Sequence, residues 1–133
     1  MNKLIFLSFA LFCIMGSFTV SAQTAKKETA ASAAPMIEAY YFHNTARCVT
    51  CRAVEEEAKA DLQSLYGNQV VFKSLDLEDK ATKPIAKKLE VSGQTLLVVK
   101  GSKKVNLTNE GFMYARTNPK KFKEIIKEKV DAL

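Results

Sequence analysis

Two cysteines separated by two residues, Cys48 and Cys51, are the side chains of this sequence best suited to chemistry. Arg47 precedes the pair and Arg52 follows it, so the thiols lie between two cations. Thiols at this spacing can form and exchange a disulfide or can bind a soft metal ion. Closing a loop of about four residues gives roughly 2 kcal/mol of stabilisation, against about 3 kcal/mol for a fifteen-residue loop. A structural disulfide would more usefully close a longer loop, so we favour redox chemistry.

The two sulfurs are expected to have different roles. If Cys48 is the N-cap of a helix, its sulfur can accept the backbone N–H of Cys51, and the helix dipole favours a thiolate there. Arg47, Arg52 and a protonated His43 would lower the pKa of Cys48 below its usual value of about 8.5. Cys51, one turn inside the helix, would then break the mixed disulfide. Ordinary surface charge is an equally open interpretation of the two arginines.

His43 is the only histidine, five residues before Cys48. Its ring can be held by a nearby carbonyl, can assist the thiolate or move a proton, or can bind a metal. Two thiolates and an imidazole suit zinc or copper, so a periplasmic copper carrier is an alternative interpretation. A closed zinc site needs four ligands, and the sequence has no second Cys/His pair. We therefore predict no metal and no cofactor.

The first 22 residues are typical of a secretory signal, with Lys3, an apolar run from Leu4 to Met15, and small residues at Val20-Ser21-Ala22. Cys13 lies in this segment and is expected to be removed with it. We therefore expect an exported, periplasmic protein whose two remaining cysteines meet an oxidising compartment. An uncleaved membrane anchor is disfavoured, because a bilayer span needs about 20 apolar residues.

Residues 23–36 are small and polar and are predicted to form a flexible tail, and residues 37–133 to form one domain. The formal net charge is +6. A basic balance can indicate nucleic acid or an anionic membrane as a partner. The lysines, however, are spread over several predicted helices, and export argues against nucleic acid. We expect ordinary solvated faces.

The motif lies between a predicted strand and a predicted helix. The strand, residues 37–42, is apolar on both faces, as is typical of a central strand. An amphipathic stripe from Val54 to Leu65 predicts a helix that begins at the motif and ends near Gly67. Residues 69–77 predict a second strand, which completes a βαβ unit with parallel strands.

The second half of the chain supplies the remaining elements. A short helix is predicted near Ile85, followed by a hairpin formed by residues 95–99 and 104–107. The last helix has a clear start, because Asn118 can cap it and Pro119 fits its first position. The predicted order is therefore βαβ, helix, ββ, helix.

That order, with CxxC between the first strand and the first helix, resembles the thioredoxin fold over nearly all of residues 37–133. The resemblance implies a three-layer α/β sandwich. Residues 89–101, LEVSGQTLLVVKG, are similar to the stretch in which that family places its cis-proline loop and hairpin. Gln94 stands at the position of the proline, so the resemblance gives Gly93, Gln94 and Thr95 a supporting role. We expect a trans peptide there, with Gly93 supplying unusual backbone angles.

The chain departs from the thioredoxin pattern in two further ways. Tyr40 or Tyr41 stands where the family has a buried aspartate, and the chain has no tryptophan beside the motif. Proton handling must therefore differ. Residues 111–114, GFMY, resemble the segment with which thioredoxins bring a glycine to the motif. Exposed aromatics there would form a docking surface, although at least two of the three large side chains are expected in the core.

Residues 40–52, YYFHNTARCVTCR, carry a narrower resemblance to small exported bacterial thioredoxin-like proteins, some of them ArsF-type nitrophenyl-compound nitroreductase subunits. The broader resemblance implies a monomeric thiol:disulfide oxidoreductase that uses Cys48 and Cys51 on protein thiols or disulfides. A membrane electron donor or a larger reductase would be its redox partner. The narrower resemblance implies instead an accessory subunit of a reductase.

Overall fold

A computed structural model describes residues 36–133 of the chain. The predicted signal segment, residues 1–22 with Cys13, lies outside the described residues, as does the predicted tail apart from Met36. The described elements follow in chain order, with a 3₁₀ turn at Gly67–Gln69: β1 (Ile37–His43), α1 (Val49–Tyr66), β2 (Val70–Asp76), α2 (Thr82–Lys88), β3 (Thr95–Lys100), β4 (Lys103–Asn106), α3 (Thr108–Tyr114) and α4 (Pro119–Asp131).

The four strands form one sheet in the order β2-β1-β3-β4. β1 pairs with β2 in parallel, as expected for a βαβ unit whose crossover is α1. β1 pairs with β3 in antiparallel register, which sets Tyr41 opposite Leu96, and β3 and β4 form the predicted hairpin. The strand that leads into the CxxC motif is therefore hydrogen-bonded on both sides.

The two faces of β1 pack against different helices. Ala39 and Tyr41 point into a core that includes buried side chains of α1 and α4. Tyr40 and Phe42 point to the opposite face, where they meet Ala86 of α2. This alternation follows from the two-residue period of a strand. The result is a three-layer α/β sandwich similar to the thioredoxin fold, which confirms the predicted fold class.

Helix α1 positions the motif at its N-terminus. Its stripe of Val54, Ala58 and Leu62 is fully buried against the sheet. The helix ends where expected, because Gly67 adopts a positive φ of 54° and its N–H returns to the carbonyl of Gln63. Between residues 36 and 133, no helix combines the length and the apolar character needed to cross a membrane.

Helix α3 is the element that the sequence did not predict. It is seven residues long and has Gly111 near its middle, an unfavourable residue in a helix interior. The glycine is required by packing, because a Cβ atom there would lie 2.9 Å from Cγ1 of Val54 on α1. Close contact with α1 therefore explains both the glycine and the helix.

Helix α4 begins as predicted. The Asn118 side chain accepts a hydrogen bond from the backbone N–H of Lys121 at 3.2 Å, and Pro119 occupies the first helical position. Phe122, Ile126 and Val130 are buried against the sheet and α1. α4 thus closes the layer that contains α1.

Candidate functional site

The CxxC motif lies at the junction of β1 and α1, as the sequence predicted. Cys48 is the N-cap residue of α1 and is exposed to solvent, whereas Cys51 is inside the first turn and only 7% exposed. The two sulfurs are joined by a disulfide bond, with the Cα atoms 5.1 Å apart. One of the two bonded cysteines is therefore exposed to solvent and the other is buried in the fold.

The sulfur of Cys48 caps the helix. It accepts a hydrogen bond from the backbone N–H of Cys51 at 3.1 Å, which confirms the predicted cap. The first N–H groups of a helix have no partner within the helix and carry the positive end of its dipole. After reduction, the same position would favour a thiolate at Cys48.

The contacts of Arg47 within residues 36–133 are with side chains other than the cysteines, and its effect on the pKa of Cys48 stays a prediction. Its guanidinium forms an ion pair with Glu55 of α1, places Nη2 2.6 Å from Nε2 of His43, and donates to the hydroxyl of Ser74 at 3.4 Å. Much of its charge is balanced by the Glu55 carboxylate. Arg52, in the first turn of α1, is exposed and is the other candidate cation beside the motif.

The two ring nitrogens of His43 face a carbonyl oxygen and a guanidinium. Its Nδ1 lies 3.0 Å from the carbonyl oxygen of Asn44, which can only accept, so Nδ1 carries the proton. Its Nε2 faces the guanidinium of Arg47, which can only donate. That a protonated His43 adds positive potential at the motif stays a prediction. His43 is 5% exposed, and a nearby carbonyl holds it as one interpretation predicted.

The loop between β1 and α1 is tied to the end of β2. The hydroxyl of Thr45 donates to the carboxylate of Asp76 at 2.7 Å. The backbone N–H of Glu78 donates to the same carboxylate and, together with Thr45, holds the pKa of Asp76 below its ordinary value. No local pattern of residues indicates this contact, because 31 residues separate its partners.

The segment from Gly93 to Thr95 leads into β3. The described residues contain no cis peptide bond, so the expected trans peptide before Gln94 is confirmed. The expectation for Gly93 is wrong, because Gly93 does not adopt a positive φ; Glu90, three residues earlier, does, at 61°. The hydroxyl of Thr95 donates to the carbonyl of Gly93 at 2.9 Å, which fixes the short loop.

Gln94 meets the motif through Tyr41. The Gln94 amide donates to the Tyr41 hydroxyl at 2.8 Å, and that hydroxyl donates to the backbone carbonyl of Cys51 at 2.9 Å. Tyr41 is fully buried, and burial raises the pKa of its hydroxyl. Sequence reasoning left Tyr40 and Tyr41 as equal candidates for the aspartate position. Because side chains alternate between the two faces of a strand, counting back along β1 from the motif would have selected Tyr41.

Segment 111–114 packs beside α1. Gly111 contacts Val54, one turn after Cys51, and Phe112 and Tyr114 pack partly against the core. Met113 is 58% exposed. Two of the three large side chains therefore belong to the core, as expected.

No group of three or more His, Cys, Asp or Glu side chains within residues 36–133 is arranged to hold a metal ion. The guanidinium of Arg47 also covers the Nε2 atom of His43.

No protein-family model and no curated protein matches the chain, whereas 12 chains of solved structures match it. One is described as a malarial protein and is 23% identical, with a TM-score of 0.41, over 52% of this chain and 74% of that one. Another is the germline-specific thioredoxin Deadhead (Thioredoxin-1) from Drosophila melanogaster, 19% identical with a TM-score of 0.41, over 56% of this chain and 68% of that one. Because both TM-scores are below 0.5, the fold assignment depends on element order and strand register. By those features the chain has a thioredoxin-like fold with a disulfide-bonded CxxC pair at the start of its first helix.

Proposed function

We propose that this chain is an exported thiol:disulfide oxidoreductase that exchanges its Cys48–Cys51 disulfide with thiols and disulfides of other proteins. The observation that carries the proposal is the unequal solvent exposure of the two bonded cysteines. Cys48 is exposed at a helix N-cap, whereas Cys51 is 7% exposed. A sulfur at a helix N-terminus is stabilised as a thiolate, and a covered sulfur reacts most readily with its bonded neighbour.

In the reducing direction, the Cys48 thiolate attacks one sulfur of a substrate disulfide. A mixed disulfide forms, and the other substrate sulfur leaves as a thiolate and takes a proton. The Cys51 thiolate then attacks the Cys48 sulfur, and the second substrate sulfur leaves and is protonated. The substrate disulfide has become a dithiol, and the Cys48–Cys51 dithiol has become a disulfide. Oxidation of a substrate dithiol is the reverse sequence.

Val49 supports a protein substrate. It lies between the cysteines and is 69% exposed. An apolar group beside the reactive sulfur can pack on the chain that carries the substrate disulfide. A membrane electron donor or a dithiol protein would return the pair to its starting state.

The decisive experiment compares single cysteine variants. We expect reduced wild-type protein to reduce a disulfide-bonded test protein such as insulin, Cys48→Ser to be inactive, and Cys51→Ser to accumulate a mixed disulfide visible by mass spectrometry. Thr50→Ser is the matched control and should retain activity. Equal alkylation rates for Cys48 and Cys51 in the reduced protein, with no trapped adduct in Cys51→Ser, would count against the proposal.

Two other functions make different predictions. A copper carrier should bind copper(I) stoichiometrically in the reduced state, and the contact of Arg47 with His43 argues against that outcome. An accessory subunit of a reductase should co-purify with a larger enzyme and keep its function in a Cys48→Ser/Cys51→Ser double variant. Export is tested separately: protein recovered from a bacterial periplasm should begin near Gln23.

A further inference from the structure

The Tyr41 hydroxyl lies between two groups that belong to different parts of the site. On one side is the backbone carbonyl of Cys51, 2.9 Å away, and on the other is the side-chain amide of Gln94, 2.8 Å away. Tyr41 is 0% exposed, so water does not compete for these bonds. The segment before β3 is thereby connected to the first turn of α1 through one buried phenol.

The chemistry of the three groups fixes the direction of both bonds. A carbonyl oxygen can only accept, so the single proton of the Tyr41 hydroxyl is directed to Cys51. The phenol oxygen can then only accept from Gln94, which must present its NH₂ group. Burial raises the pKa of Tyr41, so the phenol keeps its proton at neutral pH and is a donor, not a base.

The bond to Cys51 acts where α1 is weakest. The first turn of a helix lacks part of its hydrogen bonding and tends to fray. Cys48 is the N-cap, so the sulfur to be attacked is held by the end of the helix. A donor from β1 to the carbonyl of Cys51 anchors that turn to the central strand of the sheet.

We propose that Tyr41 and Gln94 are positioning residues that hold Cys51 for closure of the Cys48–Cys51 disulfide. This inference rests on the proposed function and names the groups that control its second step. In that step the Cys51 thiolate attacks the Cys48 sulfur of a mixed disulfide, the new S–S bond forms, and the departing thiolate takes a proton. Gln94 orients the phenol, and the phenol orients Cys51.

Three variants distinguish an effect of hydrogen-bond direction from an effect of side-chain packing. Tyr41→Phe removes the proton donor to Cys51. Gln94→Glu offers an acceptor of the same length, which turns the phenol proton away from Cys51. Gln94→Met keeps the length, and the phenol can still donate to Cys51. If Gln94 acts only through packing, the closure rates of its two variants should follow how well each side chain packs. If the two hydrogen bonds act as proposed, the closure rates should follow the direction of those bonds.

The measurement is the closure rate of the mixed disulfide with glutathione. Reduced protein is mixed with excess oxidised glutathione, quenched with acid, and the adduct on Cys48 is followed by mass spectrometry. We expect closure to slow about fivefold in Tyr41→Phe and Gln94→Glu, the rate equivalent of one net hydrogen bond of about 1 kcal/mol. Gln94→Met should slow closure by only about twofold, because it removes the amide that orients the phenol but leaves the phenol free to donate to Cys51. The ¹³C carbonyl shift of Cys51 should move in the first two variants only.

Wild-type closure in Tyr41→Phe, or equal closure in Gln94→Glu and Gln94→Met, would overturn the proposal. If Tyr41→Phe does not fold, the two Gln94 variants decide, because Gln94 is only partly buried. Closure involves only this chain and glutathione. A wild-type protein that closes normally but does not turn over protein disulfides would therefore overturn the proposed function. The positioning role of Tyr41 and Gln94 would still stand.

Discussion

Arg47 lies between His43 and Glu55, with its Nη2 atom 2.6 Å from the imidazole Nε2 of His43 and its Nη1 atom paired with the carboxylate. The pair with Glu55 is partly buried, with side-chain exposures of 28% and 18%. An arginine beside a cysteine would ordinarily stabilise the thiolate. Here the neighbouring carboxylate balances most of the charge of Arg47. The remaining effect of that charge on Cys48 can be measured.

Glu55→Gln should increase the reactivity of Cys48, because it removes the carboxylate and leaves the charge of Arg47 uncompensated. For a partly exposed ion pair worth up to about 1 kcal/mol, we expect up to about a fivefold faster alkylation of Cys48 at pH 7 in the reduced protein. Arg47→Met should slow alkylation. Glu56→Gln, on the exposed side of α1, is the control. Equal rates in Glu55→Gln and Glu56→Gln would show that Arg47 does not act on the thiol.

Val49→Glu should slow reaction with a protein disulfide more than reaction with oxidised glutathione, because only the larger substrate covers the 69% exposed side chain. A loss of about fivefold on the protein substrate corresponds to about 1 kcal/mol of interface energy. Met36→Glu is the matched control, since Met36 is 56% exposed at the other end of β1, about 20 Å away by strand geometry. Similar losses in both variants would point to a general effect of charge.

Gly111→Ala should destabilise the fold, because the new Cβ would meet Val54 at 2.9 Å. We expect the free energy of unfolding to fall by about 1–3 kcal/mol, as in other overpacked cores. Gly93→Ala is the control: nothing lies within 4 Å of its Cβ position, and Gly93 does not adopt a positive φ. Chemical denaturation of both variants tests the contrast, and a larger loss in Gly93→Ala would contradict the packing between α3 and α1.

Asp61 should make stability depend on pH. Burial raises its pKa above the ordinary 3.8, with Glu57 adding to this effect and Lys123, 3.9 Å away, opposing it. Because the folded state holds the proton more tightly, stability relative to an uncharged variant is greatest in acid. This extra stability is lost as the pH rises from the ordinary pKa of the carboxyl through the raised pKa of the folded state.

Asp61→Asn is the test of this pH dependence. The Oδ2 atom of Asp61 is buried without a hydrogen-bond partner among residues 36–133. We therefore expect the free energy of unfolding of the variant, relative to wild type, to rise by about 1 kcal/mol between pH 3.5 and pH 7. This is the usual scale for one unsatisfied buried group. Denaturation curves at several pH values measure the difference between the two proteins. A difference that does not change with pH would contradict the raised pKa.

The sequence predicted the elements whose signals are local. The two-faced apolar pattern of β1, the stripe of α1 and the cap at Asn118 each depend on neighbours within a few residues. The cap formed by the Cys48 sulfur also follows from local geometry, because its partner is three residues away. These features gave the fold class and the place of the motif.

The unpredicted features depend on distant partners. Helix α3 is short and has a glycine near its middle, and its packing on Val54 of α1 is visible only once the chain is folded. The sequence indicates that Glu55, Glu56 and Glu57 can partly offset the positive charge at the motif, but only the folded helix shows that Glu55 pairs with Arg47. The contact between Tyr41 and Gln94 spans 53 residues, which no periodic pattern can indicate.

The place of β1 at the centre of the sheet affects how the motif behaves over time. β1 leads into the loop that ends at Cys48, and it has hydrogen-bonded neighbours on both sides and helices on both faces. Amide hydrogens of such a strand exchange with solvent only when most of the domain opens, whereas edge strands such as β4 open locally. We therefore expect the loop that leads to the reactive sulfur to begin at the slowest-exchanging strand of the domain, so that local opening elsewhere leaves its attachment in place.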